Sequence, residues 1–454
     1  MENILNTKVE KKEFYKSVMA LVLPMAIQNL INFGVNAVDV IMLGKVGEIA
    51  LSASSLAGQV YFVLTLFAFG ISSGAAVLAA QYWGKKDTET IEKILGYSLR
   101  LGVAISVLFT VAAQFFPEAL MKIFTSEAAV IQEGAAYLRI ISVSYIVSVF
   151  TMTYLNIIRS AEKVVVSMVI YFISLVINVI LNAIFIFGLL GSPALGVKGA
   201  AIATTIARFT EVVLVIIYIA KINKTVLFKF KDFFVKDKVL ARDFYKYSVP
   251  VIINEVIWGL GVSAISAVLG HLGSSAVAAN SVVQVVRQIA MVVVFGISNA
   301  TAIMIGKVIG QGKKDYAKVY AKRFQILALS FGAVGAVLIL LISPLIRQFM
   351  TLGPEASGYL RDMLFVLCYF IVAQAFNTVT IVGVFRGGGD TKVGLVIDVT
   401  TLWGCAILLG ALAAFVFDAP VIVVFMLLTS DEIIKIPMCI ARYKSYKWLN
   451  DVTR

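Results

Sequence analysis

Apolar segments too long for a soluble core recur along this chain, and no other feature constrains its folding as tightly. They fall at roughly 15–43, 54–82, 94–116, 133–158, 164–188, 196–220, 246–270, 281–309, 324–350, 359–384, 393–417 and 419–443, twelve in all. A run of about 20 apolar residues crosses the hydrocarbon of a bilayer as a helix. Inside lipid each backbone N–H and C=O must be satisfied by a helix or a closed barrel. Barrel strands would alternate apolar and polar over segments of about ten residues, and these runs are continuous instead. Composition agrees, with 60% of residues hydrophobic and 14% charged, where a soluble domain has about a half and about a quarter. The expected fold class is an all-α membrane protein of twelve transmembrane helices.

The formal charge of +13 does not imply a nucleic-acid partner, because the cations sit in short loops between apolar runs. One set of loops holds Lys8, Lys11, Lys12 and Lys16, then Lys85, Lys86 and Lys163, then Lys224 to Lys238. It continues through Lys313, Lys314, Arg386 and Lys392 to Arg442, Lys444 and Lys447. The alternate loops hold only Lys45, Lys122, Lys198 and Arg347. Cytoplasmic loops carry the excess of Lys and Arg, so both termini are expected in the cytoplasm. The basic start, MENILNTKVEKKEFYK, leads into an apolar run too long for a cleaved leader and is read as a retained first span.

The chain is also written twice. Pro24, Gly44 and Gly47 recur as Pro250, Gly270 and Gly273 at one separation (250 − 24 = 226). Phe69-Gly70-Ile71-Ser72 recurs as Phe295-Gly296-Ile297-Ser298 at the same separation, and Gly84 as Gly310. Farther on, Arg159-Ser-Ala-Glu-Lys answers loosely to Arg386-Gly-Gly-Gly-Asp-Thr-Lys. Self-similarity at a fixed period marks a repeated structural unit. The expected organisation is an N-lobe at 1–222, a cytoplasmic linker at 223–245 and a C-lobe at 246–454. The polar stretch at 223–243 would be an amphipathic helix on the inner leaflet. Each half holds six spans, so the repeats insert in parallel, and such folds bind their cargo at or between the repeats.

Several stretches together resemble one family. LPMAIQNLINFGVNAVDVIMLGKVG lies in the first span, RSAEK and NVILNAIFIFG around the fifth, and INEVIWGLG in the seventh. GKVIGQGKKD and FRGGGDT complete the set. These are similar to the multidrug and toxic compound extrusion (MATE) family over nearly the whole chain. The resemblance implies two pseudo-symmetric six-helix lobes in a V shape around a cleft. It also implies a cation-coupled antiporter that expels organic, often cationic, compounds. Asp39 matches the family's first-span acid, and Glu255 the seventh-span glutamate of its NorM-like members. Where some members place Asn-x-x-x-Asp in the fifth span, this chain reads Asn178-x-x-x-Asn182, which leaves that site one carboxylate short and moves weight to Glu255.

Charged residues inside spans are costly and mark candidate sites. Glu255, Asp39 and Asp398 are the candidate cation-coupling acids, and Glu255 is also a possible Na⁺ ligand. Glu255 has few partners in sequence, since Arg287 falls toward the other end of the next span, so a neutral, protonated carboxyl is expected at rest. Asn178, Asn182, Gln28, Gln284, Tyr137 and Asn156 are the candidate substrate-lining residues. Arg208 with Glu211, and Asp431 and Glu432 with Lys435, read as pairs within their own helices. Asp390 reads as a loop acid capping a helix, and His271 as a solvated residue at a loop edge. The three cysteines form no C-x-x-C pair. With one histidine and no nucleophile–base constellation, an enzyme is not expected. The glycines before Asp390 lack the spacing of a phosphate loop. No cofactor is expected beyond the coupling ion, H⁺ or Na⁺. The expected partners are small organic substrates and the bilayer, with the protein acting as a monomer. The alternative is a lipid-linked oligosaccharide flippase, for which Arg139, Arg208 and Arg361 would have to line one cavity.

Overall fold

The computed structural model describes residues 8–349 and 352–454, and among these the chain is helical with no strand. The first eight helices are α1 Lys8–Gly44, α2 Glu48–Gly84, α3 Thr88–Phe115, α4 Pro117–Lys122, α5 Ala128–Ile141, α6 Tyr145–Ser160, α7 Val164–Phe187 and α8 Val197–Ile217. The second eight are α9 Lys238–His271, α10 Ser274–Gly310, α11 Lys314–Phe349, α12 Pro354–Thr378, α13 Thr391–Asp398, α14 Leu408–Phe415, α15 Val421–Leu428 and α16 Asp431–Lys444. Eleven helical stretches among the described residues are long and apolar enough to cross a membrane. The twelfth apolar segment departs from expectation. It breaks at Thr429 and Ser430 into α15 and α16. Both residues turn their hydroxyls back onto carbonyls one turn earlier, and the acids Asp431 and Glu432 open the second piece.

The duplication is visible in the backbone. α2 and α10 are both 37 residues long, and their ends differ by 226 at each terminus (274 − 48 and 310 − 84). The glycine before each takes a positive φ, 145° at Gly47 and 116° at Gly273, a region glycine enters without a Cβ penalty. At their far ends the two helices meet backbone to backbone. A Cβ on Gly84 would strike the carbonyl oxygen of Lys307, and one on Gly310 would strike that of Gln81. Those contacts are one contact seen twice, since 81 + 226 = 307 and 84 + 226 = 310.

Packing divides the chain into two compact units. One comprises the chain up to Ala26, Ala80–Lys86 and Val249–Arg454, and the other Ile27–Ala79 and Asp87–Ser248. The chain therefore changes unit inside α1 just after Pro24 and inside α9 just before Pro250. In the first unit Trp448 is fully buried. The chain end beyond it is fixed by Gln81, whose side chain donates to Asn450 O (3.0 Å) and accepts from Val452 N (2.9 Å).

In the second unit the polar stretch after α8 is not a surface helix. It runs irregularly, with one 3₁₀ turn at Phe230–Phe234, until α9 begins. Tyr97 on α3 donates its hydroxyl to Asp237 O (2.8 Å), and Arg100 donates to Val235 O (2.9 Å). Gly96 leaves room for the backbone at Asp232. Side chains of α3 thus supply the hydrogen bonds that irregular backbone cannot make for itself.

Two helices of the first unit widen to π geometry. Val379–Phe385 extends α12, and Val399–Ile407 joins α13 to α14. A π turn rotates the residues beyond it about the helix axis and is frequent at functional sites. Here the first ends directly before Arg386, and the second begins directly after Asp398.

Candidate functional site

Three polar groups sit inside the apolar spans. In the second unit Asp39 on α1 faces α7. Asn178 and Asn182 lie one turn apart and so share a face. Asn182 donates from Nδ2 to Asp39 Oδ1 (2.5 Å) and to Asn178 Oδ1 (3.1 Å), while Asn178 donates from Nδ2 to Thr204 Oγ1 on α8 (3.1 Å). The side-chain carbonyl oxygen of Asn182 is buried without a partner. Among the described residues no Lys or Arg comes within ion-pair distance of Asp39. Arg208 lies in electrostatic reach of it, but pairs with Glu211 at 2.7 Å. Ser174 also donates to Glu211 (2.6 Å). Tyr137 lies near Asp39, packed against the apolar cluster that includes Leu43 and Ile186.

In the first unit Glu255 overturns the expectation of a lone, neutral acid. Arg386 reaches it at 2.7 Å, with the arginine side chain 4% exposed and the glutamate 13%. Arg386 counted in sequence as a loop cation. It is instead turned inward where α12 leaves its π segment. Asp390 also differs from expectation. It stands at the N-cap of α13 but caps nothing, and its carboxylate binds Arg442 at 2.7 Å.

The third group surrounds Lys435 on α16, 3% exposed. Its ammonium meets Asp431 at 2.7 Å, Asp398 at 3.0 Å and Glu432 at 3.9 Å. Asn254 donates to Asp398 Oδ2 (2.7 Å) and Asn377 to Glu432 Oε2 (2.8 Å). The reading of Asp431, Glu432 and Lys435 as a self-contained helix is too narrow, because Asp398 joins them from α13. The hydrogen-bond partner of Asp398 on α9 is Asn254, one residue before Glu255.

The other candidates scatter. Gln28 accepts from Arg159 at 3.5 Å, and Asn156 donates to Ser72 at 2.8 Å. Gln284 makes one long bond to Asn280, a turn earlier on its own helix. His271 ends α9 with its ring edge-on to Phe415.

The repeated helical backbone has known counterparts. The MatE family model matches residues 24–184 and 250–412, which is most of both repeats. The chain belongs to the MatE family. This is a family of membrane transporters, and the chain is a multi-pass membrane protein. A probable multidrug resistance protein NorM from Thermotoga maritima is 25% identical over 453 residues, covering 97% of this chain and 94% of that one. The probable multidrug resistance protein YoeA of Bacillus subtilis is 24% identical over 415 residues, 89% of this chain and 88% of its own. Among solved structures, the Vibrio cholerae MATE transporter VcmN in its bent form superposes with a TM-score of 0.85 at 18% identity. It covers 97% of this chain and 99% of its own. A MOP superfamily transporter from Pyrococcus furiosus gives 0.86 at 18% identity, with 95% and 96% covered. These likenesses show that the fold is that of the MATE structures.

Asp39, Asn178 and Asn182 do come together, the two asparagines on one face as their spacing implied. Arg386, Asn254 and Lys435 are the residues that sequence reasoning missed or undervalued. A lysine deep inside the twelfth apolar segment was the available signal, because it has no route to water. The flippase alternative fares poorly. Arg208 is spent on Glu211, Arg361 is exposed and paired with Asp362, and Arg139 is exposed on α5.

Proposed function

We propose that this chain is a secondary active antiporter of the cell membrane that exports organic compounds, cationic or amphipathic, in exchange for H⁺ or Na⁺. It works as a monomer with both termini in the cytoplasm, the orientation favoured by its loop cations. The observation that carries the reading is Asp39. It is an acid in an oily span, hydrogen-bonded by an amide and matched by no ion-pair partner among the described residues. Such a carboxylate attracts a cation, and a proton or Na⁺ competes there with an organic cation for the same charge. Antiport needs that competition. Each ligand must also prefer one access state, since a ligand that binds both equally shifts nothing. Relatives described as multidrug resistance proteins support export as the direction. Glu255 is the weaker coupling acid in this state, because the guanidinium of Arg386 already neutralises it.

The test is export of a fluorescent organic cation from proteoliposomes with pH and Na⁺ gradients imposed separately. One of the two gradients should drive export in the wild type, and Asp39→Asn should abolish the driven component and weaken binding of the organic cation. An Asp39→Asn variant that pumps at the wild-type rate would refute the assignment.

A further inference from the structure

The Lys435 cluster has more negative charge than its bases can match. Asp398, Asp431 and Glu432 converge on one ammonium. Arg287 on α10 is in electrostatic reach of Asp431 and Glu432. Three acids therefore face two bases. Cys439, a turn farther along α16, is also within reach, and it brings no positive charge. The neighbouring Glu255–Arg386 pair is balanced in itself. An unmatched charge held in an apolar interior is strongly unfavourable, so one negative charge needs a cation or a proton.

A second observation says which. Asn254 and Asn377 each donate into the cluster from Nδ2, and each has its Oδ1 buried with no partner. Their residues are 3% and 1% exposed. A buried acceptor without a donor is uncommon in folded proteins and costs stability. The missing donor is what a protonated carboxyl has. If Glu432 carries the proton, its O–H satisfies the oxygen of Asn377. Asn254 and Asp398 can do the same, with the amide turned about if needed, since amide orientation follows the hydrogen-bond network. Na⁺ fits less well, because the ammonium of Lys435 already occupies the point where the three carboxylates converge.

We propose that the Lys435 cluster holds one exchangeable proton, shared among Asp398, Asp431 and Glu432, and that the C-terminal repeat carries this proton through the transport cycle. The proton passes between a carboxylate oxygen and water, with no other bond made or broken. The use made of it rests on the antiport reading; its presence does not.

Infrared spectroscopy of the purified full-length protein near neutral pH separates the two. A protonated carboxyl has its own C=O stretch, which shifts in D₂O. The wild type should show one such acid that is lost in Asp398→Asn, in Asp431→Asn and in Glu432→Gln alike. Removing any one acid balances the charge and releases the proton. Lys435→Met should instead add to the band, which a purely structural role would not do. In proteoliposomes Glu432→Gln should lose pH-driven export and keep downhill exchange. A wild type without the band, or a band untouched by all three acid replacements, overturns the proposal. So does undiminished pH-driven export in a variant that has lost the band. If the wild type shows the band but no gradient drives export, the antiport reading fails alone.

Discussion

The two repeats share a scaffold and differ in their charges. Position 28 of the first answers to 254 of the second, and 29 to 255 (28 + 226, 29 + 226), while Arg159 answers to Arg386 (159 + 227). In the first repeat the arginine meets a neutral amide, Gln28, at 3.5 Å. In the second it meets a carboxylate, Glu255, at 2.7 Å. The exchange runs the other way farther along the same helices, where Asp39 corresponds to Ile265 (39 + 226). Each repeat thus keeps acid chemistry, at a different depth and with different company. Duplication preserved what the backbone needs, the positive-φ glycines and the tight crossing of α2 with α10. It left the side chains free to diverge, because a buried polar residue answers only to its own partners.

Breaking the arginine contacts should expose this difference most strongly. Arg386→Met strands Glu255 in an apolar surround and should cost about 3–5 kcal/mol, the usual effect of orphaning one member of a buried pair. Arg159→Met strands only an amide and should cost about 1–3 kcal/mol. Thermal unfolding in detergent reads both, and the double replacement Glu255→Met with Arg386→Met should recover much of the larger loss. Equal losses in the two single variants would mean that the repeats are not electrostatically distinct.

The scaffold half of the comparison has its own test. Gly84→Ala and Gly310→Ala each push a methyl into the partner's carbonyl, and overpacking of this kind costs about 1–3 kcal/mol. Since the two contacts are copies, the two losses should match. Gly34→Ala, with nothing near its Cβ position, should be neutral or mildly stabilising. A large loss at one crossing glycine and none at the other would show that the repeats share less backbone than their matched helix lengths indicate.

The part of this arrangement that lies within one helix, or in a gapless repeat, was legible in the sequence. Apolar length predicts the spans. The spacing of four between Asn178 and Asn182 puts both amides on one face, toward whatever α1 offers. The Arg208–Glu211 and Lys435–Asp431 pairs come from helical spacing alone. Partners that come from distant helices were not legible. Arg386 reaches Glu255 across 131 residues, and Asn254 reaches Asp398 across 144. Those meetings depend on how far each helix is rotated about its axis, and the π segments beside Arg386 and Asp398 change that rotation. Hydrophobic periodicity averages over such a turn and cannot locate it. The same limit hid the break at Thr429 and Ser430, where an apolar average runs unbroken over two short helices. It also hid the docking of residues 223–237 on α3, which is set by Glu92, Tyr97, Arg100 and the close approach at Gly96.

The smallest effect should discriminate most finely. Thr204 accepts from Asn178 at 3.1 Å in the first repeat, and Thr380 accepts from Gln325 at 3.3 Å in the second. Replacing either by Val removes one acceptor and leaves an amide N–H bare, a loss of about 1 kcal/mol in each case. Unfolding temperatures should therefore fall alike. Export should not. Thr204 is the far end of the chain that runs through Asn178 and Asn182 to Asp39, so Thr204→Val lets Asn178 turn and loosens the amide that holds the acid. Thr380 shares no hydrogen bond with the Lys435 cluster or with Glu255, so Thr380→Val should leave gradient-driven export at the wild-type rate. If the two variants lose stability equally and export equally, the relay to Asp39 positions nothing, and the acid in the first repeat acts without its asparagines.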